Sequence, residues 1–179
     1  MYILGGVLAW AKLSSNFEPI AIARKVIGFD TFSGFPSVSE KDGSPPNENL
    51  KKFNPQYNVY KELMECVAEY GKDRYLNQFP KVELIKGDAV KTIPDYITNN
   101  KHLIVSLLFL DFDLYEPTKI ALEHFIPRMP RGGIIAFDEI NNEYWAGETV
   151  AVLETFGSLN KLELRKFPFD PNIAYVVLS

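Results

Sequence analysis

At 179 residues, 46% hydrophobic and 23% charged, the chain is long enough for one hydrophobic core and short for two, so a single domain over 1–179 is expected. A formal charge of −4 argues against a sequence-independent nucleic-acid binder, which needs a basic face to displace counterions from phosphates, and favours a small-molecule ligand. One cysteine excludes a disulfide framework or a cysteine-based zinc cluster, and there is neither a signal-type leader nor a run of eighteen apolar residues, so a soluble protein of a reducing cytoplasm, with no membrane partner, is expected.

Gly5-Gly6 opens the chain's first helical pattern, Val7–Lys12. The first strand-like run is Lys25–Phe29. Ser33–Pro55 follows, with Pro36, Pro45, Pro46, Pro55, Gly34 and Gly43 and no sustained periodicity, which reads as a lid over a site or as a plain surface loop. Val59–Tyr70 is a helix candidate whose residues Leu63, Cys66, Val67 and Tyr70 recur at helical spacing, so Cys66 is expected in the core.

Val82–Lys86 is the second strand, and Val105–Leu110 the third. The latter is nearly continuous in apolar residues, as a central parallel strand covered on both faces requires. Pro117–Phe125 is a helix opening on a first-turn proline, Ile134–Phe137 a fourth strand, and Thr149–Phe156 a last helix. Leu162–Phe167 and Ile173–Leu178 are joined by five residues, too few for a parallel crossover, so they pair antiparallel if they pair at all. Strands alternating with helices give an α/β fold with a mostly parallel sheet ending in an antiparallel hairpin.

In such sheets ligands lie outside the carboxyl ends of the strands, and here those ends are acidic: Asp30, Asp88, Asp111 with Asp113, and Asp138 with Glu139. Carboxylates gathered on one rim repel unless a cation joins them, and hard oxygen donors suit magnesium or a similar divalent ion. Alternatively, Asp111 and Asp138 cap the helices that follow. Asp30 stands where an acid accepts from both hydroxyls of a ribose, and Gly87-Asp88-Ala89 where a carboxylate and the next amide read an adenine edge; both also read as strand-ending turns. His102 and His124 have no second ligand at useful spacing and are read as surface or packing residues.

Four stretches, Ile27–Pro36, Val82–Asp88, Leu110–Thr118 and Gly132–Glu139, resemble the macrocin and mycinamicin type sugar O-methyltransferases. The Asp-x-Asp-x-Tyr-Glu-x-Thr element at 111–118 with the later Asp138-Glu139 is the most specific part. The resemblance implies a Rossmann-like class I methyltransferase that uses S-adenosylmethionine and Mg2+. It assigns Asp111, Asp138 and Glu139 to the metal, Asp113 as general base toward a sugar hydroxyl, and Asp30, Asp88, Ala89 and Asp111 to the cofactor. Gly5 and Gly6 match the end of the family's methionine-binding turn. Before them stand only four residues, so the first strand is expected to be largely missing.

The leading expectation is therefore a metal-dependent O-methyltransferase acting on a sugar or glycosylated small molecule. A truncated, inactive binding domain of the same fold is the alternative. A nucleotide-dependent oxidoreductase lacks its dinucleotide-binding glycines. The acceptor is left open, as is a homo-oligomer; Tyr144, Trp145 and Phe53 are aromatic candidates for substrate or interface contacts, or for packing under the lid.

Overall fold

A computed structural model describes residues 3–43 and 57–179. Phe53 and most of the Ser33–Pro55 stretch lie outside the described residues, so the lid expectation can be followed only as far as residue 43. The chain divides into two compact units, residues 3–35 with 57–88 and residues 36–43 with 89–179.

The first unit holds α1 (Ile3–Phe17), β1 (Val26–Asp30), α2 (Val59–Lys72) and β2 (Val82–Lys86). β1 and β2 form a parallel pair from Val26↔Val82 to Asp30↔Lys86. α1 runs past the expected Lys12 through Ser14, Ser15 and Asn16, weak helix formers by themselves, of which Ser15 is held by Tyr70. The Tyr70 hydroxyl donates to the Ala11 carbonyl at 2.8 Å and lies 2.7 Å from Ser15 Oγ, which fastens α2 to α1. Asn58 begins α2, its Oδ1 accepting from the Lys61 N–H at 3.0 Å. Leu63 is fully buried, but Cys66 is a free, exposed thiol, against the expectation of a core position. Leu63, Val67 and Tyr70 define the inward stripe, and Cys66 falls about one sixth of a turn to its side.

The second unit is built on a four-stranded sheet in the order β3 (Leu107–Leu110), β4 (Ile134–Phe137), β6 (Asp170–Val177), β5 (Arg165–Phe167). β3 and β4 are parallel, whereas β6 runs antiparallel to both β4 and β5. The C-terminal hairpin thus forms as expected, with a shorter link because β6 begins at Asp170, and with an irregularity at Lys166/Phe167. Among the described residues β3 pairs with β4 alone, at the edge of its four-stranded sheet rather than in the centre. Its apolar run is still used, since Leu108 and Leu110 are buried, while Leu107 is exposed.

Helices α3 (Ala89–Asn99), α4 (Tyr115–Phe125) and α5 (Ala146–Phe156) accompany this sheet. Fully buried Leu110, Ile135, Phe137, Leu122, Ala121, Ala151 and Val152 form its core. The helical pattern alone does not announce α3, because Pro94 sits inside it and removes one backbone donor. Its inward residues Ala89, Ile93 and Ile97 nevertheless recur at four-residue spacing, and their burial keeps the helix intact.

Candidate active site

The site in the second unit follows from strand register. Leu110 pairs with Phe137, so the residues that leave the sheet next, Asp111 and Asp138, emerge side by side. The backbone N–H of Asp138 donates to the Leu110 carbonyl at 3.1 Å, and the Asp111 side chain hydrogen-bonds to that of Asp138. One side of Asp111 meets solvent, but its others face protein. Burial, then the charges of Asp138 and Asp113, push its carboxyl up to about 7. Asp138 is raised by burial and by Asp170, and Glu139 by burial and by Asp138 and Asp170.

Asp113 is also pushed up to about 7, first by burial and then by Glu139 and Asp138. Its backbone adopts φ 61°, a left-handed conformation that aspartate tolerates better than most residues. The turn from β3 into α4 is thereby bent sharply at the acid itself. Glu148, wholly buried on α5, sits behind this group; its Oε1 accepts from the Glu139 N–H at 2.9 Å, and burial raises its pKa well above the usual range. Its Oε2 has no hydrogen-bond partner among the described residues. Asn142 donates to Glu139 Oε2 while its Oδ1 accepts from the N–H groups of Tyr144 and Trp145 at 2.9 and 3.3 Å. Trp145 is buried and packs, whereas Tyr144 is 58% exposed.

Neither Asp111 nor Asp138 caps a helix. The cap residue of α4 is Leu114 and that of α5 is Trp145, neither of which supplies a side-chain bond. Of the two readings left open by the sequence, local capping is thus not what these acids do. Among the described residues, no three His, Cys, Asp or Glu side chains converge closely enough to hold a metal ion as they stand. The chemistry of Asp111, Asp138 and Glu139 does fit a hard cation: burial first, and then neighbouring acids, raise the pKa of each, and a divalent charge would offset both the lost solvation and the repulsion.

In the first unit, Asp30 ends β1, and its Oδ1 accepts from the Phe32 N–H. Burial raises its pKa, and that hydrogen bond partly opposes the rise. The Gly87 N–H donates to the Asp30 carbonyl at 2.9 Å, which sets Gly87-Asp88 beside the end of β1. Gly87 has φ 145°, and Ala89 then opens α3. Tyr60 of α2 packs edge-on against Phe32, with ring centroids 5.0 Å apart. Gly5 and Gly6 lie within α1 rather than in a preceding turn, and the space where a Gly6 side chain would project is open.

Sequence reasoning missed two buried acids, Asp42 and Glu148. A Ser39-x-x-Asp42 capping pattern could have marked the first. Asp42 is 1% exposed and accepts from Ser39 N–H at 2.6 Å, Ser39 Oγ at 2.9 Å and Tyr115 N–H at 2.5 Å. Glu148 looks, in sequence, like an ordinary first-turn helix acid, and nothing in its neighbours announces burial.

A family profile described as macrocin-O-methyltransferase (TylF) matches residues 10–165. The chain belongs to this family. Among solved structures, this macrocin O-methyltransferase family member is similar to CalS11, calicheamicin methyltransferase, with 34% identity, a TM-score of 0.87, and coverage of 94% of this chain and 65% of that one. The O-methyltransferase NovP, at 21% identity and a TM-score of 0.66, with 92% of this chain and 64% of that one covered, shares the fold. A curated relative from Streptomyces olivaceus, 8-demethyl-8-(2,3-dimethoxy-alpha-L-rhamnosyl)-tetracenomycin-C 4'-O-methyltransferase, is 30% identical over 118 residues, which are 65% of this chain and 42% of that protein. The chain therefore spans about two fifths of that relative and about two thirds of CalS11. Its fold is that of the class I methyltransferases.

Proposed function

We propose that the chain carries out, or forms the sugar-facing part of, S-adenosylmethionine-dependent O-methyl transfer to a hydroxyl of a sugar or glycosylated small molecule. The observation that carries this reading is the placement of Asp113 at the bent turn that leaves β3, largely buried and beside Asp138 and Glu139 at the end of β4. A carboxyl held in that position can act as the proton acceptor that a sugar hydroxyl requires. Family membership and the sugar-linked names of its relatives support the acceptor class.

In this reading Asp30, Asp88 and Ala89 hold the adenosine part of the cofactor, with Asp111 contributing, and Gly5 and Gly6 belong to the methionine end. Asp111, Asp138 and Glu139 would hold a hard divalent cation such as Mg2+. When bound, the cation supplies charge that lowers the pKa of a neighbouring hydroxyl, and S-adenosylmethionine supplies the methyl group. Asp113 takes the hydroxyl proton as the oxygen–carbon bond forms and the sulfur–carbon bond breaks. Glu148, whose carboxyl burial pushes well above the usual glutamate range, holds the backbone of Glu139. The exposed free thiol of Cys66 suits a reducing compartment, in line with a cytoplasmic enzyme.

A binding domain without turnover is the second reading; among the described residues β3 pairs with β4 on one side only. Calorimetric titration with S-adenosylhomocysteine, with and without Mg2+, tests both. Binding that Asp88→Ala abolishes is expected. A folded chain that gives no binding sinks the enzyme reading, and binding without methyl transfer to any sugar acceptor leaves the second.

A further inference from the structure

Asp42 stands far from the acidic rim in sequence and next to its base in structure. Leu114, the cap residue of α4, has no side-chain acceptor. The first N–H of the helix, that of Tyr115, is satisfied instead by Asp42 Oδ1 at 2.5 Å, from 73 positions upstream. The other oxygen, Oδ2, accepts from the Ser39 N–H at 2.6 Å and from Ser39 Oγ at 2.9 Å, so both oxygens are used inside the protein. Gly147 at the start of α5 leaves room for this arrangement: a Cβ there would stand 2.2 Å from Asp42 Oδ1 and 2.5 Å from Tyr115 N. Further bonds brace the same junction. Lys41 pairs with Glu154 at 2.7 Å and lies 4.1 Å from the Tyr115 ring centre, while the Tyr115 hydroxyl donates to Glu154 Oε2 at 2.5 Å.

The turn held in this way carries Asp113, two residues before Tyr115, in its left-handed conformation. We propose that Asp42 is a positioning residue for Asp113: by capping α4 from a distance it fixes the backbone on which the base sits. The inference rests on the reading of Asp113 as general base. Without Asp42, the first N–H of α4 loses its partner, the bent turn relaxes, and the base moves from the acceptor hydroxyl. A misplacement of about 1 Å at a reacting group costs on the order of 10²-fold in rate.

The test compares Asp42→Ala, Asp42→Asn, Ser39→Ala and Asp113→Asn, each shown to be folded by circular dichroism at the assay temperature. Methyl transfer to a rhamnosylated acceptor, S-adenosylhomocysteine affinity and amide exchange at Tyr115 are measured for each. Asp42→Ala is expected to lower kcat by about 10²-fold, with acceptor KM and S-adenosylhomocysteine affinity within about 2-fold of the parent, and to speed exchange at the Tyr115 amide. Asp42→Asn, whose amide oxygen can still accept from Tyr115, should recover most of kcat. Ser39→Ala, which leaves the Tyr115 bond in place, should keep both kcat and amide protection. If Asp42→Ala does not fold, Gly147→Ala, which displaces the same oxygen, takes its place in the comparison. Unchanged kcat in a folded Asp42→Ala or Gly147→Ala chain, beside an inactive Asp113→Asn chain, overturns the positioning role alone. Full turnover by Asp113→Asn overturns the base reading, and the positioning role with it.

Discussion

The carboxyl of Glu148 accepts the backbone N–H of Glu139 at 2.9 Å while its second oxygen lies buried with no partner among the described residues. Such a group is more easily buried neutral than charged. Its folded-state pKa is raised well above the ordinary glutamate value, so the folded chain retains a proton that the unfolded chain releases. The stability this contributes is fully present below the unfolded pKa and is lost as pH rises toward the folded one. Glu148→Gln removes the titration and keeps an oxygen for Glu139. Its thermal midpoint, measured against the parent from pH 5 to 8, should rise progressively relative to the parent as pH increases. Parallel pH curves for the two proteins would count against this account.

Asp111, Asp138 and Glu139 should respond together to a divalent ion. Addition of Mg2+ is expected to raise the thermal midpoint of the parent, by about 2.7 kcal/mol of apparent stability at a hundredfold excess over the dissociation constant. Asp138→Asn should lose that increment while being no less stable than the parent without metal, because burial and the neighbouring Asp170 both disfavour a charge at that position. A Mg2+ shift that survives in Asp138→Asn would place the ion elsewhere.

Replacing Asp113 by asparagine should separate chemistry from binding. Asparagine tolerates the same left-handed backbone, so the turn at φ 61° is kept. Methyl transfer should fall by about 10² to 10⁴-fold, the usual contribution of a positioned base, with calorimetric affinity for S-adenosylhomocysteine unchanged. Equal losses in both measurements would point to a folding role.

Gly28 in β1 lets α1 lie close against its strand. A Cβ added there would approach Val7 Cγ2 to 3.1 Å and Leu84 Cδ2 to 3.3 Å, tighter than ordinary packing. Gly28→Ala should lower stability by roughly 1–3 kcal/mol, the usual cost of overfilling a packed contact, as read from urea midpoints. No loss would mean that α1 shifts freely.

Much of the fold was legible because its strands are continuous apolar runs: Val82–Lys86 and Ile134–Phe137 form strands with the bounds their residues suggest. The acidic rim was legible for the same reason, since an acid that follows such a run must stand at a strand end. The distant cap was not, because Ser39-x-x-Asp42 announces only a local turn and the partner N–H is chosen by tertiary packing. Glu148 and Cys66 were misjudged or overlooked for a related cause. Helical periodicity tells which residues share a face but not how wide the buried part of that face is. The edge position of β3 likewise depends on which strands come to its side, and its composition is that of an interior strand.

The cap supplied to α4 from position 42 also bears on how the chain reaches its final state. A helix start secured by its own neighbours can form as soon as those residues are free to coil. This one needs a loop of about seventy residues to close first, a contact that is entropically slow to make and absent from any early, local structure. The turn that holds Asp113 is thus completed only after the segment around Asp42 has docked, so a left-handed turn at the acidic rim is an outcome of assembly and not a template for it.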